Sequence, residues 1–344
     1  MQSLTKPHCV RFDAWFIILL IVGFLLFRSN TFFSYLYSNT AVSHLNKDGC
    51  DFSGSCLNPK QRAWLTTRLQ RSLELSQNRR DGWRWLGIVF RENRQEEALL
   101  AWKKSDIMPG DILWWGRQEF AAQQFSEALS WFKTTVQLQP DYSDGWYELG
   151  RTYLKIEDWG AAASAFQQSV TVNNFSTVPK SSSYYHLGLS YQRYPSLRQP
   201  DAAFTAYTEA LYWDEFRNYQ EEADTYYGRA ELHRENGRFE EAIHDYQQAI
   251  DINPEHEWTY LGLALAQYSL DGDLVQAEYT IKQAISLWPE GISKKWPYRS
   301  LGELYKQTGQ NASAIEAFQQ ALTYDPSDKY VQELLDTLLL HAVP

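Results

Sequence analysis

Few residues of the chain have the types and the spacing that enzyme chemistry needs. The seven histidines are scattered, and none falls in the HExxH spacing with which a helix holds zinc. The nucleophile motif GxSxG and the phosphate-binding motifs GxxxxGK(S/T) and GxGxxG are absent from the sequence. Acidic pairs such as Glu240 with Glu241, and Glu221 with Glu222, begin or border expected helices, where carboxylates stabilise the N-terminus. The sequence therefore predicts no catalytic residue, no metal site and no cofactor.

The three cysteines allow one small covalent loop. Cys50 and Cys56 lie in the segment GCDFSGSC, where a disulfide can form in an oxidising compartment. Two unpaired thiols in a linker are the alternative, and Cys9 stands apart from both. Neither cysteine fits a zinc pattern, because no further cysteine follows and no histidine pair is suitably spaced.

The stretch at residues 295–328, KWPYRSLGELYKQTGQNASAIEAFQQALTYDPSD, has the spacing of two amphipathic helices joined by a turn. Its apolar and small residues lie three and four positions apart, so each set falls on one face of a helix. Gly309 and Asn311 mark the turn, and Pro326 closes the unit. The first face consists of Tyr298, Leu301, Gly302 and Tyr305, and the second of Ala314, Phe318 and Ala321.

This pattern recurs along the chain. In one-letter code it is W/Y-x2-L-G-x2-Y, then A-x3-F-x2-A, then P, and it resembles the tetratricopeptide repeat, a helix-turn-helix unit. The resemblance implies an all-α fold, a right-handed superhelical solenoid of about seven such units, and we expect one transmembrane helix to precede it because of the apolar segment near the N-terminus. The first helices of the seven units contain Trp83, Trp115, Trp146, Tyr184, Tyr226, Trp258 and Tyr298.

The N-terminus is a different kind of sequence. Residues 14–27, AWFIILLIVGFLLF, are apolar and uncharged, with basic residues on both sides. We expect an uncleaved transmembrane signal-anchor helix that continues to residue 33, because about 20 residues are needed to span a bilayer. A signal peptide is the alternative, although no small residues follow closely enough for cleavage. A buried core helix is a third interpretation, but the segment has no amphipathic face.

The basic residues beside this segment predict the orientation of the chain. Lys6, Arg11 and the free amino terminus precede it, whereas Arg28 and Lys47 follow it. This count leans slightly towards a cytoplasmic N-terminus. We therefore expect a single-pass membrane protein with its repeats outside the cytoplasm.

The expected organisation has six parts. They are an N-terminal tail at 1–13, the transmembrane helix at 14–33, a membrane-proximal linker at 34–58, an N-terminal capping helix at 59–78, the repeat array at 79–328 and a C-terminal capping helix at 329–344. Terminal helices of this kind cover the ends of repeat arrays. In the N-terminal capping helix we expect Trp64, Leu65, Leu69 and Leu73 to face the first repeat.

The resemblance also implies where a partner binds. First helices of such repeats line a concave groove, and fixed positions in each unit face the ligand. Carried over to this chain, these positions predict a binding groove made of Tyr147, Tyr185, Tyr227, Arg117, Arg151, Lys155, Gln192, Arg193 and Arg234. Tyrosine offers a rigid face with a polar tip, and arginine offers a fork of donors. In the alternative interpretation these tyrosines are half-buried groove walls without a dedicated ligand.

Together these features predict a membrane-tethered scaffold that binds a partner protein or an extended peptide and performs no chemistry of its own. The net charge of −10 and the absence of a basic stripe argue against nucleic acid. An accessory protein for polysaccharide or cell-envelope assembly, which binds glycan or an envelope enzyme, is the alternative. A subunit whose catalytic partner is a separate chain is a third hypothesis.

Overall fold

A computed structural model describes residues 57–76, 80–91, 93–105, 107–193, 199–290 and 292–342. Every regular element in these ranges is an α-helix, which confirms the predicted all-α class. The sixteen helices of the described residues are α1 (Pro59–Leu75), α2 (Arg80–Phe90), α3 (Gln95–Ser105), α4 (Pro109–Ala121), α5 (Phe125–Leu138), α6 (Ser143–Lys155), α7 (Trp159–Val172), α8 (Lys180–Arg193), α9 (Pro200–Trp213), α10 (Tyr219–Glu235), α11 (Phe239–Ile252), α12 (Glu257–Asp271), α13 (Leu274–Leu287), α14 (Lys295–Gln307), α15 (Asn311–Tyr324) and α16 (Lys329–Ala342).

Two predictions fall outside the described residues. The predicted transmembrane helix at 14–33 lies there, and so do the disulfide candidates Cys50 and Cys56. Among the helices that the structure does describe, none combines the length and the apolar character that crossing a bilayer requires.

The helices pack mainly in consecutive pairs, as the repeat pattern predicts. The closest partners are α2 with α3, α4 with α5, α6 with α7, α8 with α9, α10 with α11, α12 with α13 and α14 with α15. Several pairs have a glycine where an aromatic ring of the second helix crosses the first. A Cβ atom built on Gly302 would lie only 2.6 Å from the ring of Phe318, and one on Gly150 would lie 2.8 Å from the ring of Phe166. This close approach explains the Leu-Gly and Phe positions of the pattern.

The chain divides into two compact units, one that ends at Pro140 and one that begins at Asp141. Unit 1 contains α1 to α5 and has a tryptophan-rich core. The ring of Trp131 lies 5.9 Å from that of Trp102 and 5.1 Å from that of Trp115. Leucines of α1 complete this core, and they are Leu65, Leu69 and Leu73. Trp64, which we expected on the same side, is 37% exposed.

Unit 2 contains α6 to α16. Four of its five helix pairs are centred on a fully or almost fully buried ring of the second helix, and these rings are Phe166, Tyr207, Tyr246 and Phe318. In the pair of α12 and α13, the buried residue is Ile281. Alanines surround the rings and let the helices approach closely. The first helices contact one another as well, α8 with α10 and α10 with α12. This second set of contacts forms the surface on which the candidate site lies.

Candidate functional site

A cavity of about 450 Å³ lies on the first helices of unit 2. Its walls come from α8, α10 and the start of α12, with one ring from α9. The lining residues are Tyr185, Leu189, Gln192, Arg193, Tyr207, Gln220, Asp224, Tyr227, Gly228, Glu231, His256 and Trp258. Four of them belong to the predicted groove: Tyr185, Gln192, Arg193 and Tyr227.

Asp224 is the acceptor at the centre of this cavity. The Tyr185 hydroxyl donates to its Oδ2 at 3.1 Å, and Gln220 Nε2 donates to its Oδ1 at 2.9 Å. The ring of His256 lies on the same side, with Nε2 3.8 Å from Oδ1. Burial and then the Asp224 carboxylate raise the pKa of Tyr185 well above its usual value, so the phenol remains a donor at neutral pH. The carboxylate is therefore held in one position.

Two further hydrogen-bonded pairs fix the walls. The Tyr207 hydroxyl donates to Gln192 Oε1 at 2.7 Å, and Gln192 Nε2 donates to the carbonyl of Gly228 at 3.4 Å. These bonds join α8, α9 and α10 at the cavity. The side chains lining it are therefore preorganised by their neighbours rather than free to rotate.

Glu231 closes the cavity on the α10 side. Arg234 donates to its Oε2 at 2.8 Å, and the Tyr246 hydroxyl donates to its Oε1. Tyr227 lies beside this pair, and its ring meets His256 edge-on at 5.1 Å. Burial and the nearby Glu231 raise the pKa of Tyr227, which keeps this phenol protonated.

Tyr147 lies on α6 and is more deeply buried than Tyr185 and Tyr227. Its ring meets Phe166 edge-on at 5.8 Å and lies 5.6 Å from the ring of His186. Its side chain has no exposed surface, and its hydroxyl and His186 Nδ1 are buried without a hydrogen-bond partner in the structure. Burial lowers the pKa of His186, so this ring is neutral at pH 7. We define the tyrosine face as the surface formed by Tyr147, Tyr185, Tyr207 and Tyr227.

The predicted groove residues differ in how much surface they offer. Tyr147 and Tyr185 are buried, and Lys155 and Arg193 are exposed. The others are partly buried: Tyr227, Arg117, Arg151, Gln192 and Arg234. Arg151 lies against the ring of Tyr147 at 5.7 Å and donates to Glu148 Oε2 at 2.8 Å. Arg117 lies on α4, which belongs to unit 1. Partner binding by any of these residues stays a prediction.

Eight of the lining residues were not predicted as groove residues from the sequence, and Asp224 and His256 are two of them. Asp224 lies on the first helix of its repeat, three residues before Tyr227, so the repeat register could have predicted it. His256 lies in the connection before α12, where the repeat register gives no positions.

Comparison with solved structures gives the same fold. The structure of the APC/C hetero-tetramer Cut9–Hcn1 matches with a TM-score of 0.52 and 15% identity, over 81% of this chain and 52% of that chain. The structure of PilW, a widely conserved type IV pilus biogenesis factor, matches with a TM-score of 0.53 and 15% identity, over 66% of this chain and 98% of that one. Similarity at this level of identity is evidence of the fold alone.

Two curated proteins are similar in sequence. The CTR9 homolog of Arabidopsis thaliana is 24% identical over 265 residues, which are 74% of this chain and 23% of that protein. The general transcriptional corepressor trfA of Dictyostelium discoideum is 30% identical over 84 residues, which are 24% of this chain and 6% of that protein. The chain matches less than a quarter of the length of either relative.

Models of the tetratricopeptide repeat match three parts of the chain, at residues 115–176, 223–256 and 298–328. These parts include α10 with α11, whose first helix forms a wall of the cavity, and α14 with α15, where the ring of Phe318 crosses Gly302. The matched segments and the paired helices show that the chain contains tetratricopeptide repeats, arranged in an all-α fold.

Proposed function

We propose that this chain is a tetratricopeptide scaffold that binds an extended segment of a partner protein on the tyrosine face of unit 2. The observation that carries the proposal is the cavity of about 450 Å³, with walls of aromatic rings and hydrogen-bonded side chains. In this proposal the chain positions its partner and catalyses no reaction.

The chemistry of the cavity supports protein binding. Tyrosine and arginine are enriched at recognition surfaces, because they combine large contact area with directional hydrogen bonds. Tyr227 is partly exposed, and Arg193 projects from the end of α8 into solvent. The bonds from Tyr185 to Asp224 and from Tyr207 to Gln192 hold the surrounding wall in place. Such preorganisation lowers the entropy cost of binding.

The proposed location of the chain depends on the segment at residues 14–33. We propose that this segment anchors the chain in a bilayer, with the N-terminus in the cytoplasm and the repeats outside it. The proposal is supported by 14 consecutive uncharged apolar residues and by the flanking basic residues.

Affinity capture tests the binding proposal. The tagged full-length protein is isolated from native membranes in mild detergent, alongside Tyr227→Ala and the control Tyr279→Ala. Tyr279 is 60% exposed and lies on α13, away from the cavity lining. We expect one protein to be captured by the wild type and the control and lost with Tyr227→Ala. Identical captured sets from all three would overturn the proposal.

Alkaline carbonate extraction tests the membrane proposal. The full chain should stay in the membrane pellet, whereas Leu20→Arg with Phe24→Arg should release it, because charges inside a bilayer are costly. In sealed vesicles of known orientation, protease should cut the repeats only from the non-cytoplasmic side. Extraction of the unmodified chain, or cutting from the cytoplasmic side, would contradict the corresponding part of the proposal.

A second candidate function is glycan binding in polysaccharide or cell-envelope assembly. It is favoured by exposed aromatic rings near the end of α9, where Tyr212 is 77% and Trp213 is 41% exposed and their centres are 5.6 Å apart. Flat rings with a polar tip can cover the apolar faces of sugars. This function predicts binding to an oligosaccharide array that Trp213→Ala abolishes and Tyr227→Ala leaves intact.

A further inference from the structure

Charge is distributed unevenly along the chain, and the formal net charge of −10 conceals a basic region. Residues 57–108, which include α1, α2 and α3, contain 11 lysine and arginine residues against 6 aspartate and glutamate residues. Residues 109–344 contain 17 lysine and arginine residues against 33 aspartate and glutamate residues. The first three described helices therefore carry a net positive charge, whereas the part of the chain that follows them is strongly acidic. A basic region of this kind attracts anionic partners.

Helix α1 brings several of these cations together on one side. The sequence has no continuous basic run here, but Lys60, Trp64, Arg68 and Arg71 are spaced by four, four and three residues, which places them on one face of a helix. Lys60 and Arg71 are exposed, and Arg68 is partly exposed. The only acidic residue of α1 is Glu74, in an exposed ion pair with Arg71 at 2.6 Å. We call these four residues, Lys60, Trp64, Arg68 and Arg71, the α1 face.

The exposed ring of Trp64 is a second and independent observation. It is 37% exposed, and the guanidinium of Arg68 lies 5.3 Å from its centre. The core contacts of α1 come from the opposite side of the helix, where Leu65, Leu69 and Leu73 are buried. An exposed indole among basic side chains is typical of helices that lie at a membrane–water interface, because the ring is apolar and its N–H is polar.

The basic surface continues across a groove of about 1300 Å³ that borders α1. The cations in its lining are Arg80, Lys103 and Lys104, and all three are exposed. Lys104 Nζ lies 4.4 Å from the centre of the Trp83 ring, which also lines the groove. Each of its two carboxylates forms an ion pair with the arginine three residues before it. The floor is apolar and consists of Leu73, Leu86, Phe90 and Ala101. Cations from α2 and α3 are thus gathered beside the α1 face.

We propose that α1, α2 and α3 dock on an anionic bilayer surface, with Trp64 at the headgroup level and Lys60, Arg68 and Arg71 on lipid phosphates. Basic residues near a bilayer are attracted by anionic headgroups, and tryptophan favours the interface. A long polyanion such as nucleic acid is disfavoured by the acidic remainder of the chain. This inference goes beyond the proposed partner binding and takes support from the proposed anchor, because the 25 residues at 34–58 can separate α1 from that anchor by at most about 90 Å.

Photo-crosslinking to lipid tests the docking surface. A benzophenone amino acid replaces Thr67, which is exposed on the same side of α1 as Trp64, or Trp114, which is 53% exposed on α4 and serves as the control position. The full-length protein is placed in vesicles of phosphatidylcholine alone or with about 30% phosphatidylglycerol. We expect phosphatidylglycerol to raise lipid crosslinking from position 67 at least about fivefold and to leave position 114 unchanged. Raising NaCl from about 50 to about 500 mM should lower the crosslinking, because salt screens exposed charges.

Matched variants of the chain labelled at position 67 locate the contact. Lys60→Gln with Arg71→Gln should lower crosslinking in phosphatidylglycerol vesicles at least about threefold and leave thermal unfolding unchanged, since both side chains are exposed. The control Lys282→Gln with Lys329→Gln removes the same charge from exposed positions of unit 2 and should retain crosslinking. Equal loss in both variants would show a general charge effect and would overturn the docking surface.

The outcomes separate this inference from the proposed anchor. Equal crosslinking with and without phosphatidylglycerol would overturn the docking surface, and so would crosslinking of position 67 to a single-stranded oligonucleotide but not to lipid. If alkaline carbonate extracts the chain but position 67 still crosslinks to phosphatidylglycerol vesicles, the anchor is wrong and the docking surface stands. If the chain stays in the membrane pellet without lipid-dependent crosslinking, the anchor stands and the docking surface is wrong.

Discussion

The cores of the two units are packed with different aromatic residues. In unit 1, Trp102, Trp115 and Trp131 meet in the core, and the guanidinium of Arg91 lies 4.0 Å from the centre of the Trp131 ring. In unit 2, two of the rings that cross the first helices are tyrosines. Their hydroxyls reach the surface of the first helices, where Tyr207 donates to Gln192 and Tyr246 donates to Glu231.

This difference bears on the proposed binding surface. A phenylalanine would fill the space that Tyr207 and Tyr246 fill, as Phe166 and Phe318 do in other pairs. The added hydroxyls contribute to a hydrogen-bonded wall around a cavity, rather than to packing alone. Unit 1 should therefore depend mainly on packing, and the tyrosine face on polar contacts.

The largest effect is expected in unit 1. Trp131 is completely buried between Trp102 and Trp115, so Trp131→Ala should lower the free energy of unfolding by about 3–5 kcal/mol. Urea denaturation followed by circular dichroism measures this change. Trp114, 53% exposed on the adjacent helix α4, is the matched control, and Trp114→Ala should change the stability by less than about 0.5 kcal/mol. Equal effects would contradict the assigned core.

The next effect concerns the crossing of paired helices in unit 2. Gly302→Ala places a methyl group 2.6 Å from Phe318, and we expect a loss of about 1–3 kcal/mol from overpacking. In a double-mutant cycle, Phe318→Leu should relieve much of the cost of the alanine, because the two side chains compete for one space. Additive losses from the two substitutions would show that this contact does not set the helix spacing.

A smaller difference should separate two tyrosines of the tyrosine face. Tyr185→Phe removes a donor from Asp224 and should cost about 1–2 kcal/mol. Tyr147→Phe removes a buried hydroxyl that lacks a partner, so the stability should stay the same or rise slightly. Denaturant unfolding of the two variants gives the comparison. A greater loss for Tyr147→Phe would mean that its hydroxyl has an essential partner in solution.

The smallest effect is a pH dependence at the tyrosine face. Burial lowers the pKa of His186 in the folded chain below its usual value of 6.5, with Arg151 and Arg217 adding to the shift and Glu221 opposing it. The unfolded chain therefore binds more protons below about pH 6.5, and stability should be complete above that pH and fall as the pH drops through it. His186→Gln should make this fall shallower, although His233, which shifts in the same direction, will retain part of it.

Stability measured at intervals between about pH 7.5 and pH 5 tests this assignment. An identical fall in the wild type and in His186→Gln would exclude His186 as its source. A fall that steepens in the variant would show that protonated His186 stabilises the folded chain through Glu221, opposite to the expected direction.

Sequence reasoning predicted the helix pairs because each depends on a local rule. The spacing of Leu301, Gly302 and Phe318 requires one helix to present a gap and the next to fill it, and the structure has that contact. In α1, the same reasoning identified Leu65, Leu69 and Leu73 but placed Trp64 on the wrong side. A period of about 3.6 residues cannot decide whether a large residue at the edge of an apolar stripe is buried or exposed.

The sequence did not predict how deeply each tyrosine of the tyrosine face is buried. Tyr147, Tyr185 and Tyr227 occupy equivalent repeat positions, yet Tyr147 is completely buried and Tyr227 is partly exposed. His186 belongs to the next repeat and covers Tyr147. This burial depends on contacts between repeats rather than on the pattern within one repeat. Simultaneous alanine substitution of the three tyrosines would therefore damage the core, and it is a poor test of binding.

The central claim is that partner binding takes place on the tyrosine face, and site-specific photo-crosslinking in cells that express the full-length chain tests it most directly. A benzophenone amino acid replaces Arg193 in one full-length variant and Tyr279 on α13 in another, both exposed positions of unit 2. We expect a discrete crosslinked protein from position 193 and none from position 279. Crosslinking only from position 279, or from neither position while the tagged protein still captures its partner, would contradict the claim.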